Sequence, residues 1–189
     1  MLFRSVQLCG SMAVCGSSRQ GVLLFIDLNE GKLLRRIDET DLVDMSDMLV
    51  SNQGQHVCVA TAEMGINIYS VEEAKVTKTV GERLETTDGK CVPPSQLCAD
   101  EQERFLFVGY CDGQIVVHWI ASGQVVLKLN DQGEGHTCRI NSLRMRDGIL
   151  FSSAQNHEAK VWNLKERLDQ FSIDITKVMQ RQKLFNCTV

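Results

Sequence analysis

The chain lacks any apolar run of about eighteen residues, so nothing in its 189 residues reads as a membrane-spanning helix. Residues 2–18, LFRSVQLCGSMAVCGSS, are broken by Arg4 and Gln7 and alternate like a strand, which excludes a continuous secretory signal core. No block of basic residues exists. Twenty Lys and Arg are scattered among twenty-four Asp and Glu, for a net charge of -4, and this argues against nucleic acid or an anionic membrane bound through a polybasic surface. No Gly-Lys-Ser or Gly-Lys-Thr follows Gly10, Gly16 or Gly21, so the requirements of a phosphate loop are missing. The two prolines, Pro93 and Pro94, close the polar segment GERLETTDGKCVPP, which therefore reads as a connection and not a strand.

What is present is a 43% hydrophobic chain, enough for one packed domain. With no signal core, its eight cysteines read as reduced thiols of an intracellular protein, cytoplasmic in preference to nuclear. Cys9, Cys15, Cys58 and Cys98 read as small core residues on strands. Cys91 and Cys98 enclose six residues, and His136 and Cys138 stand two apart, neither of which is the paired spacing of a zinc site. No metal or cofactor is expected. The Asn186-Cys187-Thr188 sequon has little chance of use without secretion.

Internal repeats organise the chain. GVLLFIDLNEGKLLRRI, starting at Gly21, aligns without a gap on GQIVVHWIASGQVVLKL, starting at Gly113. Each reads as strand, Gly-closed turn and strand, a hairpin pattern in which Gly supplies the positive φ of the turn. In a second register, residues 50–70 align with residues 99–119. Third-strand segments then begin at Gly21, Met64, Gly113 and His157, in steps of 43, 49 and 44 residues. Such steps bracket the roughly 40 to 45 residue period of propeller blades.

The segment GHTCRINSLRMRDGILFSSAQNHEAKVWN, Gly135 to Asn163, resembles a WD repeat, with Gly135-His136 and Trp162-Asn163 as the matching dipeptides. The resemblance implies an all-β fold, a β-propeller of WD-repeat type with about four four-stranded blades over residues 2–38, 39–80, 95–130 and 131–175. Residues 176–189 form a tail or the start of a further element. FSIDITKVM, from Phe171, is a candidate outer strand for the last blade, although Leu164, Leu168 and Phe171 also keep helical spacing. WD-repeat rings are expected to hold about seven blades, so the chain reads as part of a larger ring. Three outcomes are open: a piece of a longer protein, which is favoured, a ring closed with another chain or a second copy, or a small propeller closed by this chain alone.

The resemblance also assigns residues. His136, Ser152, Asn156 and Trp162 take the places of the family's hydrogen-bonded set, a structural network and not a catalytic triad. Asn156 and Asn163 stand where the family has Asp, so the network should be weaker. The other blades depart further, with Ile26, Tyr69 and His118 at the Trp position. Partner binding on the family's loop face transfers to Asp44, Ser46, Ser95, Cys111, Arg139, Asn141 and Gln155, with Arg139 foremost as an interface anchor. The expected function is a non-catalytic scaffold for other proteins. A structural arc completed by another chain is the alternative, and an enzyme with a central-channel site is a remoter one.

Overall fold

A computed structural model describes residues 5–39, 42–62, 65–80, 84–85, 89–129 and 135–173. The sequon and residues 174–189 lie outside these, as do Glu63 and Asn130. The described chain is all-β apart from a closing helix, and it forms four antiparallel sheets in succession.

Sheet one is β1 (Ser5–Cys9), β2 (Met12–Ser17), β3 (Val22–Asp27) and β4 (Lys32–Asp38), each strand pairing with the next. Sheet two repeats this order with β5 (Met45–Val50), β6 (His56–Thr61), β7 (Gly65–Ser70) and β8 (Lys75–Val80). Sheet three follows with β9 (Pro94–Ala99), β10 (Phe105–Tyr110), β11 (Ile115–Trp119) and β12 (Val125–Lys128). Sheet four has three strands, β13 (Ile140–Arg146), β14 (Ile149–Ala154) and β15 (Ala159–Asn163).

The repetition extends to defects in the ladders. The pairing of third and fourth strands slips at Phe25/Ile26, Ile68/Tyr69 and Val117/His118, which are equivalent positions of sheets one, two and three. An extra residue there increases local twist. Successive first strands also meet, β1 with β5, β5 with β9 and β9 with β13.

Burial explains why four sheets stay together. Each junction holds its own apolar cluster: Phe25 and Leu23 against Met48 and Tyr69, Ile68 against Leu97 and Val108, and Phe107 and Val117 against Leu143 and Leu150. Both faces of sheets two and three are covered, so their second strands read as nearly continuous apolar runs. Turns reinforce the stack. Gly113 adopts φ +94°, and a Cβ there would collide with the His136 carbonyl oxygen; Gly21, its counterpart in the repeat, packs likewise against Glu39. Only a residue without a side chain permits that approach.

The last segment differs from the outer strand considered above. Residues 165–173 are helical, so Phe171 and Ile173 lie on a helix. Leu164 and Leu168 are buried and Phe171 packs beside them against the sheet three–four cluster, while Ile173 faces water. Their spacing puts them on one helical face, and that burial overrides the strand-like alternation. Arg104 Nη1 donates to Ser172 Oγ at 3.0 Å and ties the helix to sheet three. No helix among the described residues is long and apolar enough to cross a membrane.

Candidate functional site

Sheet four carries the polar set. Ser152 is the fourth residue of β14 and Trp162 the fourth of β15, both on the side towards sheet three, while His136 comes from the loop leading into β13. Trp162 Nε1 donates to Ser152 Oγ at 2.9 Å, and Ser152 Oγ lies 2.7 Å from His136 Nε2. An indole nitrogen can only donate. The serine oxygen therefore accepts from Trp162, and its second lone pair or its own proton meets Nε2 according to the imidazole tautomer. Burial, and next the Lys160 charge, hold the His136 pKa below its ordinary value, as a neutral ring requires.

Asn156 does not occupy the place given to it beside His136. Its Oδ1 accepts from the Glu158 backbone N–H at 3.4 Å, and Glu158 Oε2 is the acidic group near the ring, 3.7 Å from Nδ1. Hydrogen bonding with Asn156 is the main cause holding the Glu158 carboxyl below its usual range. Lys160 Nζ donates to the Gly135 carbonyl at 2.7 Å and pins the loop that carries His136. Glu158 and Lys160 were not among the residues singled out from sequence. Their alternation about the β15 start was the available signal.

A serine, a histidine and a glutamate in line have the order of a nucleophile, a base and its orienting acid. Access and occupancy oppose that use. Ser152 and His136 are buried, and the serine oxygen already accepts the Trp162 N–H. A substrate carbonyl has no approach to it, and Nδ1 lies beyond hydrogen-bond distance of Glu158.

The residues transferred to a loop face separate into three kinds. Cys111, Arg139 and Gln155 come together where sheets three and four meet: Arg139 Nη1 reaches Cys111 Sγ at 3.4 Å, and the Arg139 carbonyl accepts from Gln155 N–H at 2.9 Å. Arg139 and Cys111 are half-buried and Gln155 is exposed, as is Asn141 beside them, at the register shift between Ile140 and Ser142. Asp44 is exposed with φ 59°, its N–H bound to the Ser18 carbonyl, and half-buried Ser46 donates to the Ala60 carbonyl. Ser95 is corrected: it is fully buried, its hydroxyl within 3.0 Å of Gly109 O and 2.9 Å of Ile140 O. It ties sheet three to sheet four and cannot face a partner.

A cleft beside the first strands is lined by Gln7, Asp47, Gln96, Cys98, Asp100 and Arg144. Its carboxylates are engaged with backbone. Asp47 accepts from Leu97 and Met48 N–H at 2.9 Å each, and Asp100 accepts from Arg104 and Phe105 N–H at 2.6 and 2.7 Å. Burial raises the Asp47 pKa against the opposing effect of those bonds. The seven described cysteines are free, and burial pushes the Cys98 thiol up to about 11, away from reactive thiolate. Among the described residues, no group of three or more His, Cys, Asp or Glu is placed to hold a metal ion.

No protein-family profile matches the chain. Among solved structures, the computationally designed Ika4 protein is similar, with a TM-score of 0.66 at 17% identity over 86% of this chain and 91% of that one. The computationally designed Ika8 protein is similar too, with a TM-score of 0.66 at 19% identity over 85% of this chain but 45% of that one. At such identities the likeness is one of fold.

Proposed function

We propose that this chain is part of a WD-repeat-like β-propeller and serves as a non-catalytic scaffold that binds other proteins through the loops between sheets three and four. The observation that carries this reading is the Arg139, Cys111 and Gln155 cluster. Three residues far apart in sequence converge there, on turns held by sheets that are rigidly packed below. Arg139 presents a guanidinium whose position is set by Cys111 and whose remaining donors are available to a partner carboxylate or carbonyl. The sheet order, the recurring ladder slips and the His136–Ser152–Trp162 set support the propeller part of the reading.

A reaction centre in the first-strand cleft is the competing reading. It would need carboxylates available to a substrate, whereas Asp47 and Asp100 are engaged by backbone amides. The scaffold reading is tested by affinity capture from cytoplasmic extract with the intact chain and with Arg139→Glu, followed by mass spectrometry. Loss of a defined protein from the Arg139→Glu capture is the expected result. An unchanged set of captured proteins would remove this surface from consideration.

A further inference from the structure

The outward faces of sheets one and four carry the two unmatched halves of a junction that recurs three times inside the chain. In each sheet, the third residue of the second strand pairs with a third-strand residue: Val14 with Phe25, Cys58 with Ile68, and Phe107 with Val117. These pairs face the following sheet, and Phe25, Ile68, Phe107 and Val117 are buried against it. In sheet four the same positions are Phe151 and Val161, paired in the same register. They are 49% and 66% exposed.

The opposite side of the junction shows the reciprocal pattern. The first-strand residues Met48, Leu97 and Leu143 pair with the fourth residue of their neighbouring second strands and are buried against the preceding sheet. Val6 pairs with Cys15 at that position in sheet one, followed by Leu8 opposite Ala13. Val6 is 56% exposed and Leu8 69%. Scattered surface apolar residues need no explanation, but these stand at positions whose counterparts in the inner junctions are buried or half-buried.

We propose that a second copy of this chain covers both faces, the Phe151–Val161 face of each copy packing on the Val6–Leu8 face of the other. This inference rests on the propeller reading above. Face-to-face pairing of like surfaces would join two following sides, which none of the three internal junctions does. Head-to-tail contacts either close into a ring or grow without limit. Two copies bring about eight sheets, within the four to eight usual for propellers, and a third would exceed it.

Sedimentation of the intact chain tests the proposal. Wild type is expected at twice its 21.2 kDa mass, and Leu8→Glu and Val161→Glu at the single-chain mass, with unchanged circular dichroism because both side chains are exposed. Each variant spoils one half of both junctions. An equimolar mixture restores one intact junction, since the Val161→Glu copy keeps its sheet-one face and the Leu8→Glu copy its sheet-four face, and the doubled mass should return. Wild type that stays at 21.2 kDa at high micromolar concentration overturns the proposal and assigns the faces to other sheets. A dimeric Leu8→Glu, a ladder of larger species, or a mixture that stays single also overturns it. Arg139→Glu should keep the doubled mass, so loss of dimer with captured partners intact sinks this closure alone, and the reverse sinks only the loop-face reading.

Discussion

Sheets three and four contain nearly the same pattern of strands and are held in different ways. Sheet three lies between two neighbours and has apolar residues at every second-strand position except Gly109 and Tyr110, with Phe107 and Val117 fully buried. Among the described residues sheet four has one neighbour and three strands, and it has Ser152 where sheet three has Val108. Its loop is fastened by directed bonds among His136, Ser152 and Trp162. The difference teaches that the junction between these two sheets is apolar on the sheet-three side and partly polar on the sheet-four side, where directed bonds fix the loop that carries His136.

The sharpest test of this contrast compares register-equivalent phenylalanines. Phe107→Ala should cost about 3–5 kcal/mol in urea unfolding, since it opens a cavity in a closed junction. With both substitutions placed in the single-chain Leu8→Glu background, Phe151→Ala should cost under about 1 kcal/mol, because its ring there is half in water. Equal costs would break the comparison.

A smaller effect probes the directed bonds. Ser152→Ala leaves the buried His136 Nε2 without its hydrogen-bond partner and removes the acceptor of Trp162 Nε1, a loss of about 1–3 kcal/mol by the same measurement. Stability unchanged by this substitution would mean the set does not fasten sheet four.

A pH-dependent effect joins the two sheets through their histidines. Burial lowers the pKa of both His118, in sheet three, and His136, ahead of sheet four. The unfolded chain therefore takes up protons first as pH falls below about 6.5. Stability that is full above that value declines as pH drops towards the depressed folded pKa values, by up to about 1.4 kcal/mol per pH unit for each histidine. Urea unfolding between pH 7 and 5.5 should show this slope, and His118→Phe should make it shallower by one proton. A flat wild-type profile would show that neither ring is held neutral.

Strand positions were legible because a half-buried strand must alternate with period two, and the turns between strands require Gly or polar residues. Thus the strand–turn–strand segments starting at Gly21 and Gly113 are the hairpins β3–β4 and β11–β12. The helix at 165–173 was ambiguous because Phe171 fits the helical spacing of Leu164 and Leu168 and also the alternation with Ile173, and packing of Leu168 and Phe171 on sheets three and four decided it. Of the candidate site, the approach of His136, Ser152 and Trp162 was legible through the motif. Glu158 in the place of Asn156 was not, since its reach depends on the shape of the turn.

By itself, then, the sequence determined the repeat, the hairpins and the alternation of faces, all of which follow from local backbone geometry. Only the tertiary structure decided which of those faces are covered. Val6 and Leu143 are alike in pattern, as are Phe107 and Phe151, yet one of each pair is core and the other meets water. Ser95 shows the same dependence, read as a surface residue and found bridging two sheets. Burial is a property of what packs alongside, and a strand carries in its sequence the demand for a neighbour without specifying which chain supplies it.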